Sequence, residues 1–131
     1  MSARHVIRNL SIGDLIQYRL PVPGVLSILH RLSGALMFLL LPFTLWLLDL
    51  SLGSQASYQQ LREAADGWFA RLLLSLLAWS LLHHLAAGVR FLLLDLDLGV
   101  DRAPARRSAW IVFAVSIPLA LWAALGIFGA L

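Results

Sequence analysis

His84 is the residue whose type and surroundings offer the most chemistry in this chain. It lies in the run Leu81 to Arg90, within a stretch too apolar for a surface helix, and an ionisable ring at membrane depth indicates a functional site. Neutral imidazole is a common ligand of haem iron. Gly88 lies one turn further along the same face, so a flat macrocycle can approach the backbone there. The alternative is a histidine that hydrogen-bonds to a neighbouring helix.

A second group of polar residues follows a proline-rich segment. Leu20-Pro21-Val22-Pro23-Gly24 disfavours the interior of a helix, so we expect the first helix to start near Val25 or Ser27. Taken singly, each has an ordinary explanation: Ser27 as a helix cap, His30 as an interfacial polar tip and Arg31 as a topology anchor. Their common position on one face, within an arc of about 100°, favours a binding site instead. The four residues are Ser27, His30, Arg31 and Gly34.

Such a face is suited to a polar ring held at the edge of the hydrocarbon. Hydroxyl and guanidinium donors can hold the two carbonyl oxygens of a quinone while its isoprenoid tail lies among leucine and valine side chains. Haem propionates are anionic groups that also need histidine or arginine at this depth. The residues therefore suit either ligand, or both in one shared site.

The composition assigns the chain to a lipid bilayer. Of its 131 residues, 60% are apolar and 13% are charged, which is too much apolar surface for a soluble domain of this size. We predict an all-α membrane protein, a single transmembrane anchor domain over residues 1–131, with spans at about 25–52, 68–94 and 107–131. The first loop is expected to have some helical character around residues 58–65. No room remains for a soluble catalytic domain, so we expect a subunit of a larger assembly.

Charge and cysteine content narrow the function further. The chain has no cysteine, which excludes disulfides, iron–sulfur ligation and thiolate zinc sites. Its ten basic residues are all arginines, without a basic tract that would indicate nucleic-acid binding. They concentrate in the amino-terminal arm and the second loop, which predicts that both are cytoplasmic. No signal-peptide core is evident, so the mature chain is expected to begin at or near Met1.

Antiparallel threading brings the two polar groups to one side of the membrane. The first span runs outward and the second returns, so Ser27 to Arg31 and Arg90 lie at the same end. At about 1.5 Å per residue, His84 lies roughly 9 Å from Arg90 along the helix axis. A haem ligated by His84 would then turn its propionates toward His30, Arg31 or Arg90, with a quinone beside it.

Two segments resemble the signatures of a known family. The string Ser27-Ile28-Leu29-His30-Arg31-Leu32-Ser33-Gly34 resembles the S-I-x-H-R-x-[ST]-G signature of the cytochrome b membrane-anchor subunit of succinate dehydrogenase, respiratory complex II. The run His84-(x3)-Gly88-Val89-Arg90-(x4)-Asp95 is similar to that family's H-x-x-x-G-x-R-H-x-x-x-D signature. The resemblance covers essentially the whole chain, and it implies a multi-pass protein of the bacterial inner membrane.

The resemblance also implies roles for individual residues. His84, and not His83, would be one axial ligand of a haem b iron, with the second ligand supplied by a sister anchor subunit. Ser27 and Arg31 would line the ubiquinone site, and His30 and Arg31 would lie near the propionates. The implied partners are the sister anchor subunit, the iron–sulfur subunit and, through the complex, the flavoprotein subunit.

Two departures from the family pattern stand beside the resemblance. Phe91 occupies a position where the family often has a second histidine, and the amino-terminal R-P-x-S-P-H motif is missing. Two alternatives stay open at this stage. One is the anchor of a fumarate reductase that uses menaquinol, since the same residues serve the reverse reaction. The other is a haem-free membrane scaffold in which the histidines only pack.

Overall fold

The computed structural model describes residues 20–129, which are almost entirely helical. Three of the helices are long and apolar enough to cross a membrane, which confirms the predicted all-α membrane fold. Residues 1–19 and 130–131 lie outside the described residues, as do the predicted start at Met1 and Arg4, Arg8 and Arg19 of the amino-terminal arm. The helices are α1 (Val22–Gly53), α2 (Gln55–Ala65), α3 (Trp68–Asp95) and α4 (Arg102–Ile127).

Helix α1 begins one turn earlier than we expected from its prolines. It starts at Val22, with Pro21 as the N-cap residue and Pro23 within the first turn. A proline there sacrifices no hydrogen bond, because the first four N–H groups of a helix have no intrahelical acceptor. The expected start near Val25 or Ser27 was therefore wrong, and Ser27 lies inside the helix instead of capping it.

The connection between α1 and α3 contains the helical segment that the sequence indicated. Helix α2 begins after Ser54, whose hydroxyl oxygen accepts from the Ser57 N–H at 3.1 Å. The Ser57 hydroxyl oxygen accepts from the Ser54 N–H at 3.0 Å in return, so the pair forms a capping box. By connectivity, α2 lies at the end of the bundle opposite Ser27.

The three long helices meet in a small core near the end of the bundle that carries Ser27. Its buried apolar residues are Leu26 of α1, Ala87 of α3 and Ala109 and Val112 of α4. Small side chains let helix backbones approach closely in a membrane. Most large apolar side chains of the described chain are exposed, so they are free to face lipid or another subunit. This close packing sets the distance between α1 and α3 at the candidate site.

Candidate haem and quinone site

His84 of α3 is anchored against the backbone of α1. Its Nδ1 lies 3.0 Å from the carbonyl oxygen of His30 and 3.3 Å from the hydroxyl oxygen of Ser33. Because a carbonyl oxygen only accepts hydrogen bonds, Nδ1 carries the proton and donates it. Nε2 is then left with the lone pair, which is the arrangement typical of a metal-binding histidine held by a backbone carbonyl.

Gly34 makes this close contact between the helices achievable. A Cβ atom placed on Gly34 would lie 2.7 Å from Cε1 and 3.2 Å from Nδ1 of His84. The imidazole therefore occupies the space that any other residue would fill with its side chain. Ser33, beside it, is completely buried, and its hydroxyl donates to the His30 carbonyl at 2.9 Å.

Replacement of Gly34 by alanine is expected to push the His84 ring away from α1 and to weaken its bond to the His30 carbonyl. Overpacking of this kind costs about 1–3 kcal/mol, which exceeds the gain in helix propensity of at most about 1 kcal/mol. Thermal denaturation of the purified assembly should show a lower midpoint. Gly24→Ala is the matched control, since its Cβ would meet nothing closer than 3.6 Å. Equal midpoints for the two variants would contradict this packing.

The His30 side chain lies face to face with His84. The two ring centroids are 4.1 Å apart with an angle of 14° between the planes. The Phe91 ring packs at a tilt against the His30 ring, with 4.9 Å between the two centroids. Gly88 borders the same ring, because a Cβ there would lie 3.6 Å from His30 Nε2. Phe91, which departs from the family pattern, thus packs the His30 ring in place.

The His30 Nε2 atom is buried and has no hydrogen-bond partner among residues 20–129. A buried polar atom without a partner is unfavourable. This nitrogen needs a hydrogen-bond partner. When it carries the proton, a carboxylate oxygen is a suitable acceptor. His83 Nε2 is likewise buried without a partner in the described part of the chain, but His30 differs in lying against the His84 ring.

Ser27 and Arg31 form a separate pair on α1. The Arg31 Nη2 lies 3.4 Å from the Ser27 hydroxyl oxygen, one helical turn away. Arg31 is exposed and Ser27 is half-buried. The pair presents a hydroxyl and a guanidinium at the end of the bundle where His30 lies, as the sequence predicted.

His83 points away from this site. It is 1% exposed, its Nδ1 lies 3.3 Å from the Ser116 hydroxyl of α4, and its ring stacks on Trp79. The adjacent histidines of α3 therefore face different helices, His84 toward α1 and His83 toward α4. His83 is a packing residue of the interface between α3 and α4.

Arg90 is not brought to the His84 face, although it was expected near the propionates. Its Nε donates to the Ser108 hydroxyl at 2.9 Å and its Nη2 to the Ala105 carbonyl at 3.1 Å. Both acceptors belong to the start of α4. Seven residues separate Arg90 from His83, which is close to two helical turns, so the two share one face of α3.

One residue of the site was not singled out by sequence reasoning. Ser33 was quoted only as part of a signature, yet it contacts His84 directly. A signal was present, since a serine three residues after His30 lies on the same helix face. Gly34 was placed on the polar face of α1, but its contact with His84 was not predicted. What the sequence lacked was the distance between α1 and α3.

Comparisons with known proteins agree with a transmembrane subunit built from apolar helices. Residues 8–123 match the family described as succinate dehydrogenase/fumarate reductase transmembrane subunit. The chain is 35% identical over 105 residues to the succinate dehydrogenase cytochrome b556 subunit of Coxiella burnetii, which covers 79% of this chain and 83% of that protein. It is 28% identical over 104 residues to the Paracoccus denitrificans protein of that name, covering 79% of this chain and 80% of that one.

These matches extend over nearly all of the chain, including both segments with the family's signatures. With three apolar helices and bacterial relatives, the chain is a multi-pass protein of a bacterial inner membrane. As a transmembrane subunit of complex II, the chain associates with the other subunits of that complex. The chain belongs to the succinate dehydrogenase/fumarate reductase transmembrane subunit family, and it is a cytochrome b membrane anchor of complex II.

Proposed function

We propose that this chain binds haem b jointly with a sister anchor subunit and helps to form the site at which ubiquinone takes electrons from the iron–sulfur subunit. The observation that carries the proposal is the His84 imidazole, fixed at Nδ1 by the His30 carbonyl and left with a lone pair on Nε2. The relatives named cytochrome b556 support haem b as the cofactor. Their name also favours succinate oxidation over fumarate reduction.

The residues present fit the cofactor. His84 Nε2 is the ligand that would bind the iron, and the orphaned Nε2 of His30 is suited to a propionate oxygen. Arg31, exposed one residue further along, adds a positive charge for the same group. Gly88 adds no side chain beside His30, and its role in haem packing stays a prediction. When bound, haem b supplies a one-electron carrier beside the quinone.

Neither His30 nor His83 is placed to supply a second ligand to the haem iron. The His30 ring lies face to face with His84, an arrangement in which the two imidazoles would not hold one iron between them. His83 lies on another face of α3 and hydrogen-bonds with Ser116 of α4. Among residues 20–129 no group of three or more histidine or carboxylate side chains lies close enough to hold a metal. These observations support a ligand from the sister anchor subunit.

Ser27 and Arg31 are the donors that we assign to the quinone. The hydroxyl and the guanidinium lie one turn apart, and both can donate to a carbonyl oxygen of the ring. A charge-assisted bond from Arg31 would favour the negative charge that develops on a carbonyl oxygen as the quinone takes up electrons. The predicted orientation puts this end on the cytoplasmic side, where the iron–sulfur subunit would dock.

The proposal is tested on the intact complex purified in mild detergent. A reduced-minus-oxidised absorption spectrum should show a b-type band at one haem per complex, and succinate should reduce added ubiquinone. A complex without any haem would overturn the haem assignment and favour the haem-free scaffold. A complex with haem that reduces artificial acceptors but no quinone would overturn the quinone assignment.

A further inference from the structure

The carbonyl oxygen of His30 accepts from three donors at once. His84 Nδ1 lies 3.0 Å from this oxygen, and the Ser33 hydroxyl donates to it at 2.9 Å. Because His30 lies inside the continuous helix α1, the same oxygen is also the acceptor for the N–H of Gly34, four residues later. A carbonyl oxygen has two lone pairs, so three donors compete for two acceptor positions.

The surroundings of Ser33 keep its hydroxyl in this competition. The residue is completely buried, so its hydroxyl cannot exchange the carbonyl for a solvent acceptor. The Ser33 oxygen also lies 3.3 Å from His84 Nδ1, which is the longer and therefore the weaker of the two contacts of that nitrogen. The Ser33 hydroxyl thus acts on His84 mainly by drawing on the His30 carbonyl.

The hydrogen bond at His84 Nδ1 determines how strongly Nε2 of the same ring donates electrons to a metal. A strong acceptor at Nδ1 draws the proton away from the ring and raises its basicity as a ligand. A more basic ligand stabilises ferric over ferrous iron, and hydrogen bonding to a ligand is one of the means by which a protein adjusts a haem potential. A second donor on the same carbonyl weakens this effect.

We propose that Ser33 is a positioning residue that raises the midpoint potential of the haem by weakening the hydrogen bond between His84 and the His30 carbonyl. This inference rests on the proposed ligation of the haem iron by His84. One electron enters or leaves the iron while the Nδ1 proton stays on the ring. Ser33 therefore alters the balance between the two oxidation states and takes no part in the transfer itself.

The test is a potentiometric titration of the haem in the intact, purified complex, followed by its reduced-minus-oxidised absorption. Ser33→Ala should lower the midpoint potential, with the reduction equilibrium shifted about two- to tenfold toward ferric iron, or about 18–59 mV for one electron. Ser33→Thr keeps the hydroxyl and should restore the wild-type potential. The potential belongs to the haem that is bound, so a partial loss of haem in a variant does not change it.

Ser116→Ala is the matched control for this shift. Ser116 is as completely buried as Ser33, but its hydrogen bond is with the adjacent histidine, His83. Its loss should leave the haem potential at the wild-type value. An unchanged or raised potential in Ser33→Ala, or equal shifts in the two serine variants, would overturn the proposal.

Near-infrared magnetic circular dichroism separates the failure of this inference from the failure of the proposed function. A bis-histidine band that His84→Met replaces, together with an unmoved potential in Ser33→Ala, would overturn the role of Ser33 and leave the haem assignment standing. A wild-type complex without haem, or a band that His84→Met leaves unchanged at full haem occupancy, would overturn both.

Discussion

In membranes that carry the His84→Ala variant, the b-type absorption band of the complex is expected to disappear or to fall well below one haem per complex. The substitution would remove the imidazole that we propose as a ligand of the haem iron. It does not remove apolar length from α3, a helix of 28 residues, so insertion of the three spans should continue. Haem content is measured by pyridine haemochrome and is normalised to the subunit amount on immunoblots.

His83→Ala is the matched control for this loss, because it removes the same side chain from the adjacent position. His83 contacts Ser116 of α4 and stacks on Trp79 of its own helix, so its loss should lower stability but leave the haem spectrum of the assembled complex unchanged. A complex that keeps full haem in His84→Ala and loses it in His83→Ala would contradict the assignment. Electron transfer from succinate to an artificial acceptor reports whether each variant has assembled.

The second large effect is expected for Arg31→Leu. Quinone reductase activity should fall about ten- to a hundredfold, since a charge-assisted hydrogen bond contributes about 1.5–3 kcal/mol. Reduction of an artificial acceptor that draws electrons directly from the dehydrogenase should stay near the wild-type rate, because that route does not need the pocket. Ser27→Ala should give a milder loss, as a neutral hydrogen bond contributes about 0.5–1.5 kcal/mol.

Arg62→Leu serves as the control for Arg31→Leu. Arg62 is exposed on α2, at the end of the bundle opposite Ser27, so both activities should remain unchanged. If Arg31→Leu lowers both activities equally, the residue acts in assembly and not in quinone binding. An unchanged ratio of the two activities in every variant would contradict the assignment of Ser27 and Arg31.

The membrane fold was predictable because hydropathy and length alone determine which segments span a bilayer. The exact start of α1 was not. Pro21 and Pro23 were taken to disfavour the helix, yet prolines at the N-cap and in the first turn fit a helix start. Whether such prolines precede a helix or open it depends on where the core residue Leu26 has to lie.

The polar residues of the site were predictable in type but only partly in placement. Helical periodicity separates His83 from His84, but it does not say which helix each one meets. Which helix each histidine meets depends on how closely α1 and α3 approach each other, and Gly34 permits the close approach. Arg90 illustrates the same limit, since its acceptors Ser108 and Ala105 lie on α4, a neighbour that spacing within α3 cannot identify.

The contact between α1 and α3 also joins the proposed haem ligand and the proposed quinone donors in one structural unit. The carbonyl that orients His84 belongs to His30, whose neighbour Arg31 is paired with Ser27. A shift of α1 therefore moves the iron ligand's support and the quinone donors together. Substitutions at Ser33 or Gly34 are for this reason expected to affect both cofactor occupancy and quinone reduction.

Axial ligation of the iron by His84 is tested most directly by near-infrared magnetic circular dichroism of the oxidised complex that carries His84→Met. The wild-type complex should show the charge-transfer band of a bis-histidine haem, and the variant should replace it with the band of a histidine–methionine haem. That change would show that position 84 supplies one ligand and that a histidine elsewhere supplies the other. An unchanged bis-histidine band at full haem occupancy would contradict the assignment.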